Sequence, residues 1–219
     1  MSLKKTIIFI VVILLIDQIS KIYIKTNFIL GESELVFNWF QIHFVENDGM
    51  AWGTKISDFV SFISDRTAKL LLTLFRIVAV TGIGYWLYKS IGEKRSRLMI
   101  LSIALIFAGA LGNIIDSVFY GVLFSHSDGM VAEVLPQGGG YDSVFHGKVV
   151  DMLYFPIWDG VLPEWIPFVG GEYFSFFDPV FNVADVAIST GIGILIFFNK
   201  KVFQKPEERI IQTYIGEEE

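Results

Sequence analysis

The polar residues of this chain that could do chemistry are amides and carboxylates placed inside apolar segments. The pattern Asn-x-x-Asp occurs at Asn113–Asp116 and again at Asn182–Asp185. Residues three positions apart lie on one face of a helix, so each pattern would present an amide beside a carboxylate. If both faces point into one cleft, two carboxylates share a site, which is the arrangement that activates water for acid–base hydrolysis.

Other charged residues interrupt the apolar segments. Asp17 and Lys21 are four positions apart in the first apolar segment, where their pairing alone could neutralise both charges. We therefore interpret this pair as structural support. Arg76 interrupts another segment, and the sequence leaves open whether its side chain reaches the membrane surface or offsets an acidic group.

The composition narrows the class of protein. Of 219 residues, 53% are hydrophobic and 18% are charged, against about 25% charged in typical soluble domains. The formal net charge of −6, without a long basic stretch, argues against a nucleic-acid partner. The chain has no cysteine for a thiol nucleophile, and His43, His126 and His146 lack the spacing of a helical zinc motif. We therefore expect a membrane protein without a metal or other cofactor.

Four apolar segments are long enough, at about 20 residues each, to cross about 30 Å of hydrocarbon. They lie at residues 6–24, 68–88, 98–119 and 180–198. Leu35–Val45 is rich in aromatic and β-branched residues, which is typical of strands. The sequence therefore predicts an all-α membrane protein of four transmembrane helices with a small extracytoplasmic β-sheet and long outer loops, in one domain.

Basic residues decide the orientation of these spans. They cluster before the first span, between the second and third, and after the fourth, at Lys4, Lys5, Lys89, Lys94, Arg95, Arg97, Lys200, Lys201, Lys205 and Arg209. By the positive-inside rule these positions and both termini are cytoplasmic, and segments 25–67 and 120–179 lie outside. The polar residues within three of the spans then fall at one depth, just beneath the outer surface.

A second class of protein fits the raw composition. A small membrane transporter or proton relay also places Asp and Lys inside the bilayer. Such a relay would spread its polar groups through the full depth of the membrane, whereas here the inner halves of the spans are plainly apolar. The clustering favours an enzyme site over a relay.

At the level of motifs, the chain resembles lipoprotein signal peptidase (signal peptidase II), an aspartyl protease of the bacterial inner membrane. Five blocks carry the resemblance, in the family's order: Asp17–Lys21, Asn47–Gly53, Gly109–Asp116, Gly147–Asp151 and Phe181–Asp185. Each block is short, and their specificity comes from their order and from their spread over most of the chain.

The resemblance implies an endopeptidase that removes signal peptides from lipid-modified prolipoproteins, cutting before the diacylglyceryl-cysteine. It implies that Asp151 and Asp185 are catalytic, although the residues alone leave Asp116 as open as Asp151. The residues implied to support the site or to bind substrate are Asn47, Gly49, Asn113, Asp116, Asn182, Asp17 and Lys21. The expected partners are the preprotein substrate, membrane lipid and globomycin-type inhibitors, and the expected state is a monomer without cofactor.

Two features depart from the family's pattern. Ser117 stands where the family usually has Arg, which removes any ion pair at that position. The outer segments around 121–146 and 152–180 are also longer than expected. These inserts could shape the substrate site or bind another surface, and tolerated loop growth is equally compatible with the sequence.

Overall fold

The computed structural model describes residues 1–48, 64–176 and 178–204, and apolar helices dominate it. The main helices are α1 (Leu3–Lys25), α2 (Asp65–Gly92), α3 (Arg97–Ile115) and α4 (Val183–Phe197). A π-helical turn, Asp116–Tyr120, and a short helical turn, Gly121–Leu123, continue α3, and the short helix Asn199–Val202 follows α4. Within the described ranges, three helices are long and apolar enough to cross a membrane: α1, α2 and Arg97–Leu123.

The fourth predicted span has a different structure. Its first residues, Val180–Phe181, form a strand, and the helix that follows, α4, has 15 residues. At 1.5 Å per residue this helix is about 22 Å long, which is shorter than the hydrocarbon core. Helix α4 starts late because the Asn182 side chain accepts the backbone N–H of Asp185 and so caps the helix there.

Helix α3 lies at the centre of the bundle and contacts α1, α2 and α4. Two of its glycines allow this close packing. A Cβ on Gly109 would lie 2.2 Å from the Ala184 backbone oxygen, and one on Gly112 would lie 2.6 Å from Asp17 Oδ2. Small residues at helix contacts are the usual means of close association in lipid, so these glycines bring α4 and the Asp17 carboxylate against α3.

The predicted small sheet is present and antiparallel. Its strands are β1 (Ser33–Phe37), β2 (Phe40–Asn47), β3 (Val149–Tyr154) and β6 (Val180–Phe181), in the order β1-β2-β3-β6. Strands β4 (Trp158–Val161) and β5 (Tyr173–Phe176) form a separate hairpin between β3 and β6. Because β3 contacts α1 and the π-helical turn, the sheet lies against the end of the bundle that carries the polar residues.

The insert that precedes β3 is packed against the end of α1. Lys25, the last residue of α1, is fully buried, forms an ion pair with Glu46 of β2 and donates to Ser127 Oγ at 2.9 Å. Its ammonium also lies 4.9 Å from the ring centroid of Tyr141. Lys148 approaches the other oxygen of Glu46 at 3.5 Å. A buried charge network therefore joins the insert to α1 and to the sheet.

Candidate active site

Asp151 lies in β3, and only 3% of its surface is exposed. Its Oδ1 accepts a hydrogen bond from Asn182 Nδ2 at 2.7 Å, and its Oδ2 accepts one from Asn47 Nδ2 at 3.2 Å. Asn47 belongs to the neighbouring strand β2, where it pairs with Val149 of β3. Strand pairing therefore places one amide beside the carboxylate, and the start of α4 supplies the other.

Asp185 lies in the first turn of α4 and forms a capping box with Asn182. The Asp185 backbone N–H donates to Asn182 Oδ1 at 3.0 Å, and the Asn182 backbone N–H donates to Asp185 Oδ2 at 3.3 Å. From α3, Asn113 Nδ2 donates to Asp185 Oδ1 at 2.9 Å. The Asp185 carboxylate therefore accepts one hydrogen bond from the helix cap and one from α3.

Asn182 connects the two carboxylates. Its side-chain amide donates to Asp151 and its backbone N–H donates to Asp185. The same side-chain amide also approaches Asn113 Oδ1 at 3.2 Å, so residues from β3, α3 and α4 share one hydrogen-bond network. The structure thereby brings together both residues of the predicted catalytic pair and three of the predicted supporting residues (Asn47, Asn113 and Asn182).

The surroundings of Asp151 favour its protonated form. Burial and the negative charge of Asp185 raise the pKa of the Asp151 carboxyl to about 7, although the hydrogen bonds from Asn47 and Asn182 act to lower it. Asp185 is half-buried and is the more open of the two carboxylates. Two carboxylates of unequal exposure that interact in this way are suited to sharing one proton.

Asp116 has a different environment from Asp185, although both end an Asn-x-x-Asp pattern. It is fully buried, and its Oδ2 lies 2.8 Å from Lys21 Nζ. Lys21 also pairs with Asp17 at 2.9 Å and donates to Asn113 Oδ1 at 2.8 Å. The predicted pairing of Asp17 with Lys21 is present, and Asp116 is a second partner. This buried ion cluster links α1 to the amide that binds Asp185.

Gln18 is a member of this cluster that the sequence analysis did not single out. Its Nε2 donates to Asp17 Oδ2 at 3.1 Å and to Asp116 Oδ1 at 2.9 Å, and its Oε1 accepts from the Tyr120 hydroxyl at 3.2 Å. The available signal was its place between Asp17 and Lys21 in the first motif block. Its contacts hold the two carboxylates of the cluster in position.

The sequence also draws attention to Arg76, Ser117 and Gly49. Arg76 interacts electrostatically with Asp185 and Asp151, so of the two alternatives left open by the sequence the structure favours the offset of acidic groups. Ser117 is buried, and its hydroxyl donates to the Asn113 backbone oxygen at 3.0 Å. Gly49 lies outside the described residues. Among the residues that the structure describes, no group of three His, Cys, Asp or Glu side chains could hold a metal ion.

Apolar helices of membrane-spanning length indicate a membrane-embedded protein, and two of its carboxylates, Asp151 and Asp185, interact electrostatically, as a pair of aspartyl-protease type would. Comparison with known families is more specific. The model of the family described as signal peptidase (SPase) II matches residues 9–200. The chain therefore belongs to the signal peptidase II family, which confirms the resemblance seen in the five motif blocks.

Individual relatives agree with this assignment. A lipoprotein signal peptidase of Porphyromonas gingivalis is 52% identical over 188 residues, which cover 85% of this chain and 79% of the relative. One of Amoebophilus asiaticus is 35% identical over 208 residues, or 93% of this chain and 81% of the relative. A solved bacterial membrane enzyme superposes with a TM-score of 0.56 at 23% identity, covering 89% of this chain and 91% of the other, which shows a shared fold.

Proposed function

We propose that this protein is an intramembrane aspartyl endopeptidase that removes signal peptides from prolipoproteins, cutting before the diacylglyceryl-modified cysteine. Membership of the signal peptidase II family and the relatives described above support this reaction over the transporter alternative. The observation that carries the choice of catalytic residues is the position of Asn182, which donates to both Asp151 and Asp185.

In the proposed mechanism, Asp151 and Asp185 share one proton before substrate binds. The ionised carboxylate, Asp185, takes a proton from a water molecule as the water oxygen attacks the scissile carbonyl carbon. The protonated carboxyl, Asp151, hydrogen-bonds the carbonyl oxygen as negative charge develops on it. Collapse of the tetrahedral intermediate breaks the C–N bond, and the leaving amine receives a proton from the pair. The proton count balances, and no covalent intermediate is needed.

The supporting residues have separate tasks in this proposal. Asn182, Asn113 and Asn47 orient the two carboxylates through the hydrogen bonds described above, and they do not exchange protons. Lys21 pairs with two buried carboxylates through its single ammonium and positions Asn113 by donating to its side-chain oxygen. The distribution of basic residues supports an inner-membrane protein with both termini in the cytoplasm and the site near the outer face, where water can enter while the acyl chains of the substrate remain in lipid.

Cleavage of a diacylglyceryl-modified preprotein by the purified protein in detergent tests the proposal. We expect Asp151→Asn and Asp185→Asn each to reduce kcat by at least about 1,000-fold without loss of the folded state, because each removes a proton-transfer group. Asp142→Asn is the matched control, since Asp142 is a half-exposed carboxylate of the outer insert that pairs with Arg66 at the start of α2. Asp116→Asn is expected to lose activity only to the extent that it loses stability.

Two outcomes would contradict the proposal. If Asp185→Asn still cleaves at a rate near that of the parent, the catalytic pair is wrong although the reaction stands. If the folded parent leaves the lipid-modified substrate intact, the reaction itself is wrong. Folding is checked in each case by size-exclusion profile and thermal unfolding, so that an inactive variant is distinguished from an unfolded one.

A further inference from the structure

The outer segment between β3 and β6 contains a hairpin that the catalytic proposal does not use. We define the aromatic hairpin as residues 155–176, which contain β4, β5 and the loop between them. Its aromatic residues are Phe155, Trp158, Trp165, Phe168, Tyr173, Phe174 and Phe176. Its charged residues are all acidic: Asp159, Glu164 and Glu172.

The hairpin is folded, yet six of these seven aromatic side chains are exposed. Trp165 is 81% exposed and Phe168 is completely exposed. The loop is closed by its own backbone, since Leu162 and Glu172 are joined by a hydrogen bond of 2.9 Å and Gly171 donates back to Leu162 at 2.9 Å. Phe168 has a φ of 71°, a left-handed conformation that is unfavourable for a residue with a Cβ. The loop therefore holds a bulky apolar residue at its outer surface in a strained conformation.

The base of the hairpin is continuous with the point where α4 begins. Tyr154 pairs with Val180 in the β3–β6 ladder, and the Tyr154 hydroxyl donates to Asp178 Oδ1 at 2.9 Å. Phe155 stacks on Phe181 at 5.6 Å between ring centroids, and Phe181 is followed directly by the Asn182 cap of α4. The hairpin is thus fixed to the sheet at the level where an apolar helix of the bundle starts.

The aromatic surface extends beyond the hairpin. Phe155 also stacks on Phe40 at 4.9 Å and on Trp39 at 6.0 Å, and Trp39 stacks on Phe37 at 5.5 Å. Trp39 and Phe37 are themselves exposed, at the turn between β1 and β2. Exposed apolar surfaces of this extent usually mark an interaction site. An aromatic surface that joins the membrane-embedded bundle at a helix start has the composition of the lipid–water boundary, where Trp and Tyr are enriched.

We propose that the aromatic hairpin inserts into the interfacial region of the outer leaflet and anchors the sheet to the membrane surface. The binding is aromatic and does not depend on anionic lipid, because residues 155–176 contain no Lys or Arg to attract a negatively charged surface. Because β3 carries Asp151 and β6 leads into Asn182, the anchor fixes the depth of both residues. The lipid contact itself is independent of the proposed catalysis.

The absence of cysteine from the chain allows a direct test by single-site labelling. An environment-sensitive fluorophore is attached to Phe168→Cys in phosphatidylcholine bilayers that carry quenchers at shallow or deep acyl positions. Val78→Cys on the exposed face of α2 is the lipid-buried reference, and Asp128→Cys on the exposed part of the other insert is the aqueous reference. Trp165→Cys provides a second hairpin site, and neither exposed hairpin residue is needed for the core.

We expect both hairpin labels to be quenched strongly by shallow quenchers, weakly by deep ones, and equally with or without phosphatidylglycerol. Hairpin labels quenched no more than the Asp128→Cys label would overturn the proposal. A requirement of phosphatidylglycerol for quenching would also overturn it, because the binding would then be electrostatic. So would labels that are protected from aqueous iodide but are not quenched from the lipid, because protein rather than membrane would then cover the surface.

Discussion

Cleavage is expected to fall as the pH rises through about 7, because the proposed mechanism requires a proton on Asp151. Burial and the charge of Asp185 raise the pKa of this carboxyl to about 7. With that value, the protonated fraction is about 0.9 at pH 6, about 0.5 at pH 7 and about 0.1 at pH 8. Above pH 7, kcat/KM should therefore fall about tenfold for each further pH unit.

The assay is the initial rate of cleavage of a diacylglyceryl-modified preprotein at concentrations well below KM, from pH 5.5 to 9. Each enzyme sample is also returned to pH 6.5 and measured again, which separates titration from irreversible loss of protein. An independent reading comes from the infrared absorption of protonated carboxyl groups, with Asp151→Asn to assign the band. In Asp185→Asn, the Asp151 band should disappear at lower pH because the neighbouring negative charge is gone.

A profile that is flat or rising between pH 6 and 9 would refute the assignment of Asp151 as the protonated partner. A falling profile in which the carboxyl band of Asp151 does not titrate over the same range would also refute it, because another group would then cause the loss. The two measurements together separate the role of this carboxyl from any other titration of the protein.

Three further predictions concern stability, each measured by thermal unfolding of the purified protein. Lys21→Met should destabilise the folded state by about 3–5 kcal/mol, since it leaves two buried carboxylates without their ammonium partner; an unchanged unfolding temperature would contradict this. Gly112→Ala should lower the unfolding temperature because its Cβ would lie 2.6 Å from a carboxylate oxygen, whereas the control Gly82→Ala, with nothing within 4 Å, should not. Asp151→Asn should raise the unfolding temperature at pH 8 but not at pH 4. The folded protein holds the Asp151 proton more tightly than the unfolded chain, whose pKa is 3.8, so the free energy of unfolding falls as the pH rises from 3.8 to about 7. The total loss is about 4 kcal/mol, and the Asn variant avoids it.

The helices were predictable because length and apolar content are local properties. The fourth predicted span shows the limit of prediction from local properties. Residues 180–198 form one apolar run, but its first two residues pair with β3 and the helix starts only at Val183. A short apolar run fits a strand or a helix equally well. Val180 forms a strand here because it pairs with Tyr154, which lies 26 positions earlier in the chain. A local sequence pattern does not contain information about such a distant partner.

The candidate site was predictable only in part, because it too depends on contacts between residues that are distant in the sequence. The spacing of Asp17 and Lys21 correctly indicated an ion pair. The Asn-x-x-Asp spacing predicted an amide beside the carboxylate of the same pattern, whereas Asn113 donates to Asp185 of the other pattern. Spacing did not indicate that Lys21 also binds Asp116, which lies far along the chain, because that contact depends on the packing of α1 against α3. The choice of Asp151 came from the family resemblance, since its amide partners lie on a different strand and a different helix.

The position of the Asn-x-x-Asp pattern along each helix explains why the two aspartates have different environments. Asp116 lies inside the continuous helical segment Arg97–Leu123, where most backbone N–H groups already have partners. Its carboxylate pairs instead with the Lys21 ammonium and is fully buried. Asp185 lies in the first turn of α4, where backbone N–H groups are free to donate to its carboxylate. Asp185 is therefore half-exposed and held by N–H donors, whereas Asp116 is fully buried and held by an ammonium, which is why the proposal assigns the activation of water to Asp185.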